Sequence, residues 1–373
     1  MANNVERLSR LGQSIWLDYI ERRMLTSGEL DTRIGEGLLG MTSNPTIFEK
    51  AIGGSDDYDA ALRRVARSGA SAERIADSLF VEDVGSAADR FRGVFERTAG
   101  ADGFVSIEVS PRLAHDAEAT LADARRLWKT LGRPNVMIKI PATREGIPVI
   151  EQALAEGINV NVTLMFSMAH YEAVAEAYLR AVERRVRAGQ PVDRLASVAS
   201  FFVSRVDVML DAELAALAKK GGSGAPRAAA LQGKAAIANS KLVYRRYDEL
   251  FGGARFAPLA ERGARRQRVL WASTSTKNPA YPDTLYVDTL IGPGTVNTVP
   301  LETWAAILDH ARVERSVDAD VEGSARVVSE LASLGFDLDA VGERLSDEGV
   351  AKFSKSYDDL LSVIEDKRRK LAS

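Results

Sequence analysis

The sequence predicts an α/β fold of the (β/α)8 TIM-barrel class. Short β-branched runs alternate with longer amphipathic segments, which is the pattern of βα units around a parallel sheet. The chain of 373 residues holds eight such runs, and eight βα repeats are the number that closes a TIM barrel. The candidate strands are residues 14–17, 37–41, 104–108, 136–140, 159–163, 197–202, 268–272 and 285–288.

Helical periodicity fills the segments between these strands, as at residues 114–131 and 167–188. Two regions exceed the minimum barrel plan. An Ala-rich stretch at 207–267, interrupted by a Gly-rich turn, predicts a helical insertion between strands six and seven. Residues from about 304 to 373 predict extra C-terminal helices on the barrel exterior. Neither region has a repeat or the polarity of a linker, so we expect one domain over residues 1–373.

Composition argues against several classes of function. The 49 basic and 52 acidic residues nearly balance, so we expect no broad basic surface for nucleic acid. The absence of cysteine removes disulfides, thiolate metal sites and cysteine nucleophiles. His115, His170 and His310 lack the spacing of metal ligands. We therefore expect no metal, and catalysis by lysine, carboxylates and hydroxyls.

The chain also lacks the features of a membrane or exported protein. Its N-terminal segment has no cationic start followed by an apolar stretch, and no apolar run approaches the ~20 residues that span a bilayer. We expect a soluble, cytoplasmic protein with no membrane partner. The sequence does not distinguish a monomer from a homodimer.

Lys139 is the most informative polar residue at a strand end, where barrel active sites lie. It stands between apolar residues in the run 136–140. Burial disfavours the charged form of an amine, and attack on a ketone requires a neutral amine. The alternative is a lysine near a strand end that extends its ammonium to solvent or pairs with a carboxylate.

Glu108 and Asp18 end two other strands. Glu108, on the strand before Lys139, can pair with the lysine or shuttle protons through a water during carbinolamine formation and dehydration. Asp18 is expected to project into the same barrel mouth, although an Asp after an apolar run is also a common helix N-cap. From the residues alone, both alternatives stay open.

Asn44, Asn161 and Thr163 carry hydrogen-bonding groups without charge, at or after strand ends. Such groups suit the hydroxyls of a sugar. Asn44, however, precedes a proline, and this pair is equally typical of a turn.

A phosphate site is predicted near Arg205, which lies in an apolar stretch and whose guanidinium matches phosphate oxygens. Residues 275–278 supply hydroxyls, an ammonium and backbone amides after the seventh strand, where barrels often bind phosphate. The alternative for Arg205 is a surface ion pair with Asp207.

Four segments together resemble the transaldolase family. They are GMTSNPTIF at 40–48, SIEVSPRL at 106–113, MIKIPAT at 137–143 and GINVNVTLMFS at 157–167. They resemble the second-strand motif, the third-strand motif, the Schiff-base strand and the fifth-strand motif of that family. The matches run in order from about residue 15 to 300, and the chain is similar to a longer, actinobacterial-like subfamily. The resemblance implies sugar-phosphate substrates and no cofactor.

At the matching positions the resemblance also implies roles. Lys139 would be the Schiff-base lysine, Glu108 and Thr163 would hold a catalytic water, and Asp18 would transfer a proton at the substrate hydroxyl. The residues implied for binding are Asn44, Asn161, Ser200 and Phe202 for the dihydroxyacetone unit, and Arg205, Ser275 and Lys277 for the phosphate.

Two positions are informative within this family. One differs from the residue common in transaldolases, and the other distinguishes transaldolases from related aldolases. Lys277 stands where many transaldolases carry Arg, which keeps the charge but loses the bidentate fork. Phe202 stands where the related fructose 6-phosphate aldolases carry Tyr, which favours transfer over simple aldol cleavage.

The implied reaction belongs to the non-oxidative pentose phosphate pathway. A dihydroxyacetone unit would pass from sedoheptulose 7-phosphate to glyceraldehyde 3-phosphate, giving erythrose 4-phosphate and fructose 6-phosphate. One alternative is an aldolase that releases free dihydroxyacetone. Another is a silent barrel that only binds sugar phosphates, although a binding module does not need Lys139 between the carboxylates of Glu108 and Asp18.

Overall fold

The computed structural model describes residues 2–67 and 69–372. Eight parallel strands pair in chain order, and the last pairs with the first to close a barrel. The strands are β1 (Gln13–Asp18), β2 (Gly40–Thr42), β3 (Phe104–Glu108), β4 (Val136–Pro141), β5 (Val160–Met165), β6 (Ser197–Phe202), β7 (Arg268–Ala272) and β8 (Thr295–Val299). The strands are buried on both faces, as in a parallel sheet covered by helices. The predicted (β/α)8 barrel is confirmed.

Helices connect the strands and cover the barrel. A 3-10 turn at Pro111–Leu113 precedes α8. The helices of the described chain are α1 (Asn4–Arg10), α2 (Arg22–Ser27), α3 (Glu29–Gly35), α4 (Pro45–Gly54), α5 (Asp59–Ala66), α6 (Ala72–Arg90), α7 (Arg92–Arg97), α8 (Ala117–Leu131), α9 (Gly146–Ala155), α10 (Met168–Arg187), α11 (Ser204–Lys220), α12 (Ala225–Leu231), α13 (Ala235–Gly252), α14 (Ala257–Glu261), α15 (Leu285–Asp288), α16 (Leu301–His310), α17 (Val321–Ser333) and α18 (Leu338–Ala372). None of these described helices is both long and apolar enough to span a bilayer.

The predicted eighth strand is wrong. Residues 285–288 form α15, and the barrel closes with Thr295–Val299. A four-residue apolar run does not distinguish a strand from a turn of buried helix. The observed β8 contains polar residues, so its sequence does not read as an apolar strand. The barrel interior satisfies these residues with hydrogen bonds, as where Thr274 Oγ1 donates to Asn297 Oδ1 at 2.8 Å.

The predicted insertion between β6 and β7 is present as α11 to α14. Asp207 on α11 links two helices of this insertion. Its carboxylate accepts a hydrogen bond from the backbone N–H of Ala236, at the start of α13, at 2.7 Å. The other carboxylate oxygen accepts from the hydroxyl of Tyr286 on α15 at 2.9 Å. The insertion is therefore anchored to the loop region between β7 and β8.

The C-terminal helices differ from the expectation. α17 packs on α13 and α18 packs on α4, α5 and α6, as expected for exterior helices, but α18 also reaches the barrel mouth. α18 contacts α4, α11 and β5, and its Phe353 lines the cavity at the barrel mouth. Glycine permits this approach: a Cβ at Gly342 would lie 2.7 Å from the Cβ of Ser167. α18 thus covers the barrel end where active sites lie.

Candidate active site

Strand register brings the predicted catalytic residues together. Glu108 on β3 lies opposite Lys139 on β4, and Lys139 lies opposite Asn161 on β5. Asp18 on β1 lies opposite Thr42 on β2. Because the strands are parallel, the carboxyl ends of all of them meet at one mouth of the barrel.

A cavity of about 1020 Å³ opens at this mouth. Predicted site residues from six strands or the segments that follow them line it. These are Asp18, Asn44, Lys139, Thr163, Ser200, Phe202, Arg205, Ser275 and Lys277. Glu108 and Asn161 lie behind that wall, in contact with residues that form it.

Lys139 is only 4% exposed. Its Nζ lies 3.4 Å from Oε2 of Glu108 and donates to the carbonyl oxygen of Ser43 at 3.3 Å. The ring of Phe353 on α18 lies 5.7 Å from the same nitrogen. Lys139 therefore pairs with a carboxylate inside the barrel and does not extend its amine to bulk solvent.

Both nearby carboxyl groups have raised pKa values. Burial raises the pKa of Glu108, and the positive charge of Lys139 only partly opposes this effect. Burial likewise raises the pKa of Asp18, against the charge of Lys139 and the hydrogen bond that Thr42 Oγ1 donates at 2.7 Å. A carboxylate with a raised pKa is a stronger base, which suits proton transfer.

Asp18 is not a helix N-cap. α2 begins four residues later, with Glu21 at its N-cap position. The carboxylate of Asp18 instead faces the cavity, held by Thr42, whose hydroxyl also lies 2.8 Å from that of Thr298 on β8.

Oγ1 of Thr163 is buried without a hydrogen-bond partner within the described chain, and Oε2 of Glu108 has only the ion-pair contact with Lys139 at 3.4 Å. A buried polar atom without a protein partner requires a water or a ligand. The backbone next to Thr163 is irregular, since the β5–β6 register shifts between Val162 and Met165 and Leu164 has a φ of 61°. Such irregularities are common beside active sites.

Asn161 and Ser200 form a polar layer below the cavity. Asn161 Nδ2 donates to Ser106 Oγ at 3.0 Å, and Ser200 Oγ donates to Asn161 Oδ1 at 2.7 Å. Asn161 is fully buried, and these two bonds engage both ends of its amide. Its predicted contact with substrate hydroxyls stays a prediction, and in this structure Asn161 orients Ser200.

Asn44 caps a helix and also lies at the cavity, and its contact with a substrate stays a prediction. Its Oδ1 accepts the backbone N–H of Ile47 at 3.0 Å and caps α4, whose first residue is Pro45. The residue also lines the cavity. The cap leaves its amide N–H2 group for a substrate oxygen.

The predicted phosphate residues Arg205, Ser275 and Lys277 all line the cavity. Within the described chain, no carboxylate oxygen lies within 4.0 Å of the Arg205 guanidinium. That guanidinium instead lies 5.1 Å from the centre of the Phe202 ring. Lys277 Nζ donates to Ser275 Oγ at 2.5 Å. The alternative of an Arg205–Asp207 surface pair is wrong, because Asp207 is buried and accepts hydrogen bonds from α13 and α15.

The whole chain, and not the site alone, matches known proteins. The sequence profile of the Transaldolase/Fructose-6-phosphate aldolase family matches residues 15–364. The chain belongs to this family. Transaldolases of Frankia alni and Acidothermus cellulolyticus are 47% and 49% identical to it over 366 and 369 residues. Each alignment covers 98% of this chain and 97% or 96% of the relative. The transaldolase of Trichodesmium erythraeum is 44% identical over 376 residues.

The resemblance that the four motifs predicted is thus confirmed, and this member of the family is an enzyme of the transferase type. The matched region includes most of α18. The helix that covers the mouth is therefore within the family match.

The sequence interpretation missed the residues that α18 contributes. Arg344, Glu348, Lys352 and Phe353 line the cavity, and Lys50 of α4 joins them. Their spacing follows the helical period, with one face toward the barrel. The available signal was the pair of glycines at 342 and 349, two turns apart in a long helical segment, which indicates a face in close contact with other structure.

Proposed function

We propose that this protein transfers a dihydroxyacetone unit from sedoheptulose 7-phosphate to glyceraldehyde 3-phosphate. The products are erythrose 4-phosphate and fructose 6-phosphate, as required in the non-oxidative pentose phosphate pathway. One observation carries the proposal: a buried lysine lies beside buried carboxylates, in a cavity whose outer part holds cations without carboxylate partners. This arrangement matches an imine-forming enzyme that acts on a sugar phosphate.

Lys139 is the proposed nucleophile. Its amine attacks the C2 ketone of the donor, and the carbinolamine then loses water to give a protonated imine. Glu108, at 3.4 Å, is placed to accept a proton from the lysine before attack. The imine accepts the electron pair of the bond that breaks, so the chemistry needs no cofactor.

Asp18 is the proposed base for C–C cleavage. It takes the proton of the C4 hydroxyl, the C3–C4 bond breaks, and erythrose 4-phosphate leaves. The enamine that stays on Lys139 attacks the carbonyl carbon of glyceraldehyde 3-phosphate, and Asp18 returns the proton to the new C4 oxygen. Its raised pKa supports both directions of this transfer.

Glu108 and Thr163 are the proposed partners of the water that leaves during dehydration and attacks during hydrolysis. The unpartnered hydroxyl of Thr163 and the Glu108 oxygen that lies against Lys139 support this role. Asn44, Asn161 and Ser200 are proposed to bind or position the hydroxyls of the three-carbon unit.

Arg205, Ser275 and Lys277 are proposed to bind the phosphate. Arg205 has no carboxylate partner among the described residues, so its charge is available to an anion. The hydroxyl of Ser275 orients Lys277 and can also donate to a phosphate oxygen.

Aldol cleavage with release of dihydroxyacetone is the second candidate, because the family includes fructose-6-phosphate aldolases. Phe202 disfavours it. The residue lines the cavity and has no hydroxyl with which to protonate the enamine or activate a water. We therefore expect the enamine to persist until an acceptor aldehyde arrives.

The remaining proposals concern context. We propose that residues 1–373 act as one domain, since α11 and α18 both contribute residues to the same cavity. We propose the cytoplasm as its compartment and sugar phosphates as its small-molecule partners.

Borohydride reduction tests the imine. Fructose 6-phosphate plus borohydride should add one three-carbon unit or one ketose to Lys139, as identified by peptide mass spectrometry. Replacing Lys139 with Ala should remove the adduct and lower kcat by at least about 10³-fold while the circular dichroism spectrum is retained.

An adduct on another lysine, or none, would contradict the proposal. Product analysis without an acceptor aldehyde separates the two candidates: free dihydroxyacetone at the rate of turnover would favour the aldolase. Full activity in the Lys139→Ala variant would return the protein to the class of non-catalytic binding barrels.

A further inference from the structure

Two lysines at the outer edge of the cavity have no role in the mechanism above. Lys352 of α18 and Lys50 of α4 line the cavity and are exposed at its rim. Within the described chain, no carboxylate oxygen lies within 4.0 Å of either ammonium group. Other lysines of α18 are paired: Lys355 lies 2.6 Å from Asp359, and Lys367 lies 2.9 Å from Asp59.

The rim lysines belong to the same cationic field as the proposed phosphate residues. Partial burial lowers the pKa of Lys352, and the charges of Arg205, Lys277 and Lys50 lower it further. The carboxylates of Asp18, Glu348 and Glu108 partly offset the charge of Arg205. An anion that binds among the cations relieves the repulsion that remains around Lys352. The cluster therefore has the character of an anion site that extends beyond Arg205.

Depth orders these cations along the cavity. Lys139 is buried, Arg205 is half-buried, and Lys352 and Lys50 are exposed. Lys277 is exposed too, but its Nζ is held by a hydrogen bond to the buried Ser275. A ketose fixed to Lys139 through its C2 carbon extends outward from there. Sedoheptulose 7-phosphate has one more carbon between the ketone and the phosphate than fructose 6-phosphate, so its phosphate reaches closer to the rim.

We propose that Lys352, with Lys50 beside it, extends the phosphate site outward and favours the seven-carbon over the six-carbon ketose phosphate. Arg205 and Lys277 serve both substrates, whereas Lys352 contacts chiefly the longer one. α18 then contributes to substrate choice as well as to covering the barrel. This inference rests on the proposed function, because it takes Lys139 as the point of attachment.

The test compares kcat/KM for the two donor ketoses in wild type and in Lys352→Met. In a ping-pong reaction kcat/KM for the donor reports only the half-reaction with that donor, so the acceptor does not affect the comparison. We expect a loss of about fivefold or more for sedoheptulose 7-phosphate and of less than about twofold for fructose 6-phosphate, the size expected for one exposed charge. The difference should shrink in high salt.

Three controls isolate the charge at this position. Lys355→Met changes a lysine on the same helix that pairs with Asp359 and should leave both values unchanged. Lys352→Arg keeps the charge and should retain the preference. Unphosphorylated fructose, used at high concentration, should react equally well with wild type and Lys352→Met, because it offers no phosphate.

Equal losses for the two ketose phosphates would overturn the inference, and so would an unchanged value for sedoheptulose 7-phosphate. A loss with fructose would indicate a structural effect and would also overturn it. Failure of the proposed function itself is recognised separately, since wild type would then give no borohydride adduct on Lys139.

Discussion

At the proposed reacting centre, buried side-chain oxygens lack the hydrogen bonds that a core selected for stability alone would provide. Oγ1 of Thr163 is buried and unpartnered within the described chain, and Oε2 of Glu108 has only its ion-pair contact with Lys139. An unpaired buried polar group costs stability. Close by, the equally buried Ser200 and Asn161 are hydrogen-bonded. We therefore expect the hydroxyl of Thr163 to act chiefly in the reaction, and the hydroxyl of Ser200 to contribute to stability as well.

Thr163→Val tests this distinction. The substitution replaces an unpartnered hydroxyl by a methyl group of similar size, so the free energy of unfolding should change by less than about 0.5 kcal/mol or rise. Loss of the water's partner should lower kcat by about 100-fold. Urea unfolding and steady-state kinetics on the same preparation provide both values.

Ser200→Ala is the matched comparison. It removes the hydroxyl that donates to Asn161 at 2.7 Å and leaves a buried acceptor unpaired, so it should cost about 1–2 kcal/mol of unfolding free energy. If Thr163→Val were the less stable variant of the two and retained full kcat, the assignment of Thr163 would be wrong.

Among the elements, α18 determines the shape of the mouth. It is 35 residues long and reaches the β5–α10 turn through Gly342, which meets Ser167. Ser167 in turn caps α10 by accepting the backbone N–H of His170. A second link joins α18 to α4, where the hydroxyls of Thr46 and Ser356 lie 2.8 Å apart. These contacts hold Phe353 against the cavity.

Gly342→Ala should therefore act against the usual rule for helices. Alanine ordinarily stabilises a helix interior over glycine by up to about 1 kcal/mol. Here the new Cβ would lie 2.7 Å from the Cβ of the buried Ser167, so α18 must shift and the variant should lose about 1–3 kcal/mol. Thermal unfolding measures the loss, and kcat/KM should fall because Phe353 moves with the helix.

Gly93→Ala is the control, since a Cβ at Gly93 on α7 would meet nothing within 4 Å. It should be neutral or slightly stabilising. Equal behaviour of the two alanine variants would mean that α18 does not depend on close contact at Gly342.

For the molecule as a whole, stability should depend on pH through a buried carboxyl group that does not line the cavity. Asp207 joins the insertion to α13 and α15. Burial raises its pKa to about 6, against the hydrogen bonds that it accepts. The folded state then binds this proton more tightly than the unfolded state does. Protonated Asp207 therefore stabilises the folded state. This stabilisation is fully present below the pKa of Asp207 in the unfolded chain and is lost as the pH rises through its pKa in the folded protein.

Between pH 4 and pH 7 this group should remove about 2–3 kcal/mol from the free energy of unfolding, relative to a chain that lacks it. Asp207→Asn cannot titrate, so the stability difference between wild type and variant should shift in favour of the variant by that amount as the pH rises. Urea unfolding at several pH values tests this. Parallel pH profiles for the two proteins would contradict it.

The sequence by itself was sufficient for the barrel class, the insertion and the choice of Lys139 as the candidate lysine. Apolar runs that alternate with amphipathic segments predict strands buried on both faces. A lysine inside such a run is expected to be either ion-paired or functional. The four motifs then identified the family, because each preserves several contiguous residues around a strand end. These features depend on local pattern, which a linear sequence retains.

Only the tertiary structure decided the rest. β8 escaped notice because its polar Asn297 and Thr298 have partners inside the barrel, which local hydropathy cannot indicate. The position of α18 follows from contacts between residues more than a hundred positions apart, such as Gly342 with Ser167. The sequence therefore determined which residues can carry the chemistry, and long-range packing determined which others complete the cavity around them.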